Sequence, residues 1–171
     1  MAEIFISYAS EDKDRAEAMA RVLEEQGWSV WWDRRIPPGR DYAEVIESAL
    51  REARCVVVLW TKSSVASKWV RNEVREGANR EVLVPALLDE VEIPFEFRSL
   101  QAARLIGWRD RAQPPEMAEL LASIAAILGR PPVEPAPAPN PFVAGLADTS
   151  QAVLAAGHNL SAAGKPLLKW T

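Results

Sequence analysis

The sequence predicts an α/β fold: a five-stranded parallel sheet in the order 2-1-3-4-5, with helices on both faces. Three observations lead there. Short apolar segments alternate with segments whose apolar residues recur at helical spacing, the pattern of strand–helix–strand units with right-handed crossovers. The run Cys55-Val56-Val57-Val58-Leu59-Trp60 has no polar alternation, which is how a central strand covered on both faces reads. Cap and turn residues stand at most changes of pattern, so the boundaries follow from local chemistry as well as from periodicity.

Ile4-Phe5-Ile6-Ser7-Tyr8 is the first strand. Ser10, followed by Glu11 and Asp12, reads as an N-cap with an acidic first turn that suits the helix dipole. Ala16, Met19, Ala20 and Leu23 continue the helix until Gln26-Gly27 stops it. Trp28-Ser29-Val30-Trp31-Trp32 is the second strand, and Asp33-Arg34-Arg35-Ile36-Pro37-Pro38-Gly39-Arg40 is a loop that its prolines and glycine keep from being helical. Asp41 is the N-cap of a second helix, with Tyr42, Val45, Ile46, Ala49 and Leu50 on one apolar face.

The third strand, Cys55–Trp60, leads to a helix carrying Trp69 and Glu73 that ends near Gly77. Val82-Leu83-Val84-Pro85-Ala86-Leu87-Leu88 is the fourth strand, with Pro85 expected near its end or at an irregularity. Residues 89–100 are irregular, with Pro94, Phe95 and Phe97 expected to pack the loop on the core. Arg104-Leu105-Ile106-Gly107-Trp108 is a short edge strand. Met117, Leu120, Leu121, Ile124, Ile127 and Leu128 form the last helix, which Gly129 ends.

This organisation assigns residues 1–130 to one domain. Residues 131–141 are crowded with proline and read as an extended, semi-rigid spacer. Residues 142–171 are rich in Ala, Gly and Ser, cannot build a core of their own, and read as a disordered or docking tail. The lone His158 lies there without metal-binding or catalytic company. A sensor domain or partner subunit is expected on this C-terminal side.

Composition narrows the function classes. An apolar share of 49% supports a real core, and a net charge of −4 argues against binding nucleic acid through phosphate neutralisation. Cys55 is the single cysteine, which excludes an intramolecular disulfide and a cysteine-based zinc site; its place in an apolar run makes it a buried, inert thiol. The N-terminal residues lack a signal-peptide pattern and no apolar run reaches membrane-span length, so a soluble, cytoplasmic protein is expected.

Open sheets of this kind bind ligands in the crevice beyond the C-terminal ends of their first and third strands. That rule gathers the loop after Tyr8, the loop after Trp32 and the Trp69–Glu73 helix around one spot. Trp69 and Glu73 are four residues apart and share a helix face. Their spacing alone is also that of a core tryptophan beside a carboxylate capping a surface turn; the convergence of three segments is what selects Glu73 as a chemical group. A receiver domain of the same strand order would need an aspartate at the end of the third strand, where this chain has Trp60-Thr61-Lys62.

The same stretches carry a family resemblance. Ile4-Phe5-Ile6-Ser7-Tyr8 resembles the opening box of Toll/interleukin-1 receptor (TIR) domains of the bacterial branch, which have the flavodoxin-like sheet order. Asp33-Arg34-Arg35-Ile36-Pro37-Pro38-Gly39 is similar to their second-box loop, with an extra proline and extra charge. Ser67-Lys68-Trp69-Val70-Arg71-Asn72-Glu73 resembles the signature of TIR domains that cleave NAD, and Arg98-Ser99-Leu100-Gln101 before Trp108 also fits. The resemblance covers about residues 3–129 and none of the tail.

It implies an NAD glycohydrolase releasing nicotinamide and ADP-ribose, or a cyclase giving cyclic ADP-ribose, with NAD as substrate and no bound cofactor or metal. Glu73 maps onto the catalytic glutamate and Trp69 onto the tryptophan. Ser7, Tyr8 and Asp12 are expected on the adenine or phosphate side, facing Asp33 and Arg34. No GxGxxG or Walker loop is present, so a dinucleotide would not be held in Rossmann fashion. The loop over residues 33–41, with Ile36, Pro37, Pro38, Gly39 and Arg40, is expected to mediate self-assembly into a homo-oligomer. The implied role is an effector in bacterial immunity or stress signalling. Three rival readings share much of this: a non-catalytic TIR scaffold, a host-mimicking virulence TIR, and a nucleoside deoxyribosyltransferase, against which the second-box loop speaks.

Overall fold

Alternation along the central strand sets the architecture. In the computed structural model, which describes residues 2–109 and 113–130, β3 (Cys55–Trp60) is buried at every position. Cys55, Val57 and Leu59 point to one face, and Val56, Val58 and Trp60 to the other, because successive strand residues face opposite ways. The first set packs with α1 (Lys13–Glu25) and α4 (Pro115–Leu128), the second with α2 (Tyr42–Glu52) and α3 (Lys68–Asn79). A sheet so covered requires apolar residues on both sides, which is why the run lacks polar breaks.

The remaining strands are β1 (Ile4–Ser7), β2 (Val30–Trp31), β4 (Leu83–Leu87) and β5 (Ala103–Arg104). All neighbours pair in parallel in the order β2-β1-β3-β4-β5, the flavodoxin-like arrangement the sequence predicts. Ile4 and Ile6 lie under α1 and α4, whereas Phe5 packs on the opposite side with Ile46 and Leu50 of α2. The same period of two turns Ser7 towards α3.

Several local expectations are corrected. The second strand has two residues rather than five; Trp28 is buried in the core ahead of it, and Gly27, at φ +84°, makes the turn before it. Helix α1 starts at Lys13, after a short 3₁₀ turn over Ser10–Asp12, and Ser10 makes no side-chain cap. Asp41 does cap α2, accepting from the amides of Ala43 and Glu44, and Ser67 caps α3, accepting from Val70 at 3.2 Å. On α2 only Ile46 and Leu50 are buried, and Tyr42 is exposed.

Gly77 does not end α3, which runs on to Asn79. A Cβ there would lie 3.0 Å from the Val56 Cβ, so the glycine serves the approach of helix to sheet. Pro85 sits mid-strand opposite Val58. The Val56 amide bonds to the Val82 carbonyl, so by alternation the missing Pro85 N–H falls on the outer side, where β5 begins only opposite Ala86. The last strand covers two residues rather than five, since Gly107 adopts φ +80° and turns the chain, although Leu105 still bonds to Leu87. Phe97 packs against Trp60 as expected, with centroids 5.8 Å apart, but Phe95 is 84% exposed beneath the Arg98 guanidinium. The proline-rich segment 131–141, the tail 142–171 and His158 lie outside the described residues.

Candidate functional site

Helix α3 carries an apolar stripe at Val70, Val74 and Gly77, and Glu73 stands on that stripe. Helical spacing therefore drives a carboxylate into the interior, where it is 3% exposed. It meets Ser7, which the alternation of β1 has aimed at α3. The Ser7 hydroxyl donates to Glu73 Oε2 at 2.5 Å. From the loop after β2, Arg34 Nη2 lies 3.2 Å from both Glu73 oxygens. Burial raises the Glu73 pKa above the ordinary carboxylate value, and Arg34, Ser7 and Trp69 oppose that rise. An isolated buried carboxylate would cost several kcal/mol, so these partners are what let it stay in place.

Tyr8 supports the arrangement from below. Its hydroxyl donates to the Trp32 carbonyl at 2.7 Å, fastening the base of the loop, and its ring lies 4.5 Å under the Arg34 guanidinium. Burial raises the Tyr8 pKa, with Arg34 acting against it. Arg34, Tyr8, Ser10, Tyr42, Ser67 and Trp69 line a crevice of about 490 Å³ at the C-terminal edge of the sheet. Trp69 is 40% exposed there and so is no core filler; its ring lies 6.1 Å from that of Tyr42.

Glu73 is not on the wall of that crevice. It opens instead on a groove of about 330 Å³ between α2 and α3, with Ile46, Leu50, Asn72 and Glu76. Trp69 borders both cavities, and the Arg34 side chain, in contact with Glu73, walls the first. The structure thus brings together Ser7, Tyr8, Arg34, Trp69 and Glu73.

The other two expected residues are held by partners of their own, with Asp33 on a smaller cavity shared with Tyr8, Arg34 and Tyr42. Asp12 is buried away from the crevice, where it accepts from the Thr61 hydroxyl at 2.5 Å and pairs with Arg15 at 3.8 Å. Asp33 is tied to Arg35, its next neighbour but one, at 2.7 Å, and that contact holds its pKa below the usual value. Beyond Arg34 the loop turns outward, with Pro37, Pro38, Gly39 and Arg40 exposed and Ile36 packed partly against Phe5 and Ile46. The Arg40 amide bonds to the Pro37 carbonyl at 3.3 Å across Pro38 and Gly39, and Gly39, at φ +88°, takes the position that a type II turn reserves for glycine.

Two features escape the sequence reading. Tyr42 reads as core because it follows the cap Asp41 at the start of an apolar face, yet it is 48% exposed and lines the crevice. The Arg34–Glu73 pair joins residues 39 apart, and no local spacing announces it. Cys55 is buried among apolar groups, which push its thiol up to about 12, in keeping with an inert cysteine. Among the described residues no cluster of His, Cys, Asp and Glu is placed to hold a metal ion, and no helix is long and apolar enough to cross a membrane.

Comparison with known proteins agrees with this geometry. The sequence profile of the TIR domain matches residues 4–121, well over half of the chain. Among solved structures, the chain is similar to the TIR domain of the Toll-related receptor TRR-2 from Hydra magnipapillata, at 20% identity and a TM-score of 0.55 over 60% of this chain and 82% of that one. It is also similar to a metazoan TIR-STING receptor from C. gigas, in complex with 2′,3′-cGAMP, at 24% identity and a TM-score of 0.58. That match covers 78% of this chain and 41% of the receptor. Both are animal proteins, and at these identities the likeness speaks for the fold. No curated protein matches the sequence. With the sheet order, the second-box loop and the profile match in agreement, the chain belongs to the TIR domain family.

Proposed function

We propose that the protein is an NAD glycohydrolase of the bacterial TIR type, with Glu73 as its catalytic carboxylate, releasing nicotinamide and leaving ADP-ribose or its cyclic form. The observation that carries the reading is a carboxylate 3% exposed, held by Ser7 and Arg34 beside a half-exposed tryptophan at the ligand-binding edge of the sheet.

One carboxylate is enough for this reaction. Most glycosidases need a second, to protonate the leaving group. Nicotinamide in NAD is already cationic and departs neutral, so what remains is positive charge growing on the ribose. A carboxylate about 4 Å away contributes on the order of 4 kcal/mol at an effective dielectric near 20. Felt in the transition state alone, that is worth roughly a thousandfold in rate. Trp69 offers a face for the nicotinamide ring, and the crevice by Arg34 offers cationic company for the pyrophosphate.

The exposed segment Pro37-Pro38-Gly39-Arg40 supports self-assembly through the loop over residues 33–41, which would move the loop that covers Glu73. A role as an immune or stress effector, coupled to a sensor on the C-terminal side, goes with this reading. One observation favours the rival scaffold: Arg34 covers both carboxylate oxygens. The deciding experiment incubates the full chain with NAD at high protein concentration or in crowding agent and resolves the products by chromatography. Nicotinamide release by the parent and about a thousandfold less by Glu73→Ala is expected. Full turnover by Glu73→Ala would remove Glu73 from the chemistry, and silence from both would favour the scaffold.

A further inference from the structure

Arg34 is poorly satisfied where it lies. One nitrogen, Nη2, serves both Glu73 oxygens at 3.2 Å, longer than the 2.7–2.9 Å of a good charged contact. Its Nε is buried and has no hydrogen-bond partner among the described residues. The side chain nevertheless walls the 490 Å³ crevice, and a guanidinium is shaped for two-pronged contact with phosphate oxygens. Its loop is fastened two residues earlier, where Tyr8 holds Trp32, and is exposed from Pro37 onwards. Swinging the side chain breaks two long contacts and the stacking on the Tyr8 ring, and leaves that anchor intact.

We infer that Arg34 is a movable counterion, which pairs with and covers Glu73 and leaves it for a phosphate group entering the crevice. The inference rests on the reading of Glu73 as the catalytic carboxylate and deepens it by naming a positioning residue. A dinucleotide with a cationic base carries both charges the exchange requires. Its pyrophosphate takes Arg34, and its nicotinamide ribose takes the place of Arg34 opposite Glu73. Ser7 stays bound throughout, so the carboxylate keeps its orientation.

The charged and titratable groups around Glu73 are few. Tyr8 faces it from the end of β1, and Arg34 with Asp33 from the loop. Glu47 and Arg51 of α2 and Glu76 of α3 line the same groove. Arg51 is paired with Glu47, which leaves Arg34 as the cation in contact with Glu73.

The test reads protonation directly. The carboxyl stretch of Glu73 is followed by infrared difference spectroscopy in the full-length protein, assigned by its loss in Glu73→Gln, with inorganic pyrophosphate as the anion. In the parent, pyrophosphate should move the Glu73 titration upward by drawing Arg34 away. Arg34→Gln should titrate about one pH unit or more above the parent without pyrophosphate, and ignore its addition. Arg34→Lys, which keeps the charge but loses the fork, should titrate between them and respond weakly; it decides the matter if Arg34→Gln does not fold. Superimposable titrations of parent and variants, or a parent indifferent to pyrophosphate, would overturn the inference. Because no turnover is needed, a moving titration in a protein that does not cleave NAD would strike only the glycohydrolase reading. Cleavage with an unmoving titration would strike only this one.

Discussion

Two carboxylates are buried at the C-terminal edge of the same sheet, each with a hydroxyl donor and an arginine beside it, and their settings differ. Asp12 bonds to the Thr61 hydroxyl, whose oxygen also accepts from the Ser64 amide, while the Ser64 hydroxyl oxygen accepts from the Thr61 amide. Close by, Asp89 accepts from Arg15 at 2.8 Å and from the Lys62 amide at 3.0 Å. Thr61 and Ser64 are thus locked to backbone, and with Asp89 they stitch the end of β3 to the start of α1, where Arg15 lies 3.8 Å from Asp12. Glu73 has one short bond, to Ser7, and two longer contacts, both to Nη2 of a loop arginine. Two cavities open beside it. A carboxylate whose hydroxyl donor is itself locked to backbone is structural. One satisfied by a side chain that can depart is available for chemistry.

The largest test of that contrast exchanges the acids for their amides. Glu73→Gln should lower NAD cleavage about a thousandfold, since the amide carries no charge to set against the ribose cation. Asp12→Asn should leave cleavage within a few-fold, because Asp12 touches Thr61 and Arg15 and not the crevice. Product analysis of both variants decides it, and equal losses would erase the distinction drawn here. Stability should show the reverse ranking of sites. Thr61→Val strips Asp12 of its hydroxyl donor and the Ser64 amide of its acceptor, at a cost of about 1–3 kcal/mol in urea unfolding. It should leave the pH dependence of cleavage unchanged.

A smaller effect is expected at Gly77. Its alanine variant gains about 1 kcal/mol of helix propensity but must force a methyl to 3.0 Å from the Val56 Cβ in the middle of the sheet. Overpacking of this sort costs about 1–3 kcal/mol, so a net loss near 1 kcal/mol should appear in urea unfolding. The variant also acts on the two carboxylates unequally. Pushing α3 outward stretches Ser7–Glu73 and leaves Asp12–Thr61 alone, so activity should fall while the Asp12 end of the sheet keeps its amide exchange protection.

Much of the fold was legible because its causes are local. The unbroken apolar run of β3, the caps Asp41 and Ser67, and the alternation that follows β1 are each written in consecutive residues. The short edge strands were overread, since β2 and β5 depend on pairing along one side and on glycines that turn the chain early. At the site, Glu73 was legible by spacing, and a closer sign lay in the charge at the centre of the Val70, Val74 and Gly77 stripe. The Arg34 contact was not, because it spans 39 residues between loop and helix and obeys no period. Asp12 lies in a buried contact with Thr61, and an acid after a strand-end loop suits a ligand pocket and a buried staple equally well.

The last test uses pH at Glu73, and its sign follows from burial. The pKa of Glu73 is raised in the folded protein, so folded Glu73 holds its proton at pH values where the unfolded chain has already lost it. Its contribution to stability is therefore fully present below the unfolded pKa and is lost as pH rises through the folded one. Measured against Glu73→Gln, the parent should gain stability as pH falls from neutral through that window, whatever the offset between the two at pH 7. The trend for activity runs the opposite way, because the ionised form is the working form. Cleavage should fall as pH drops through a value above the ordinary carboxylate range, and Ser7→Ala, which removes a donor that favours the charge, should move that limb higher still. A parent whose stability, measured against Glu73→Gln, rises together with activity as pH rises would mean that the folded protein lowers the Glu73 pKa, with Arg34 and Ser7 outweighing burial.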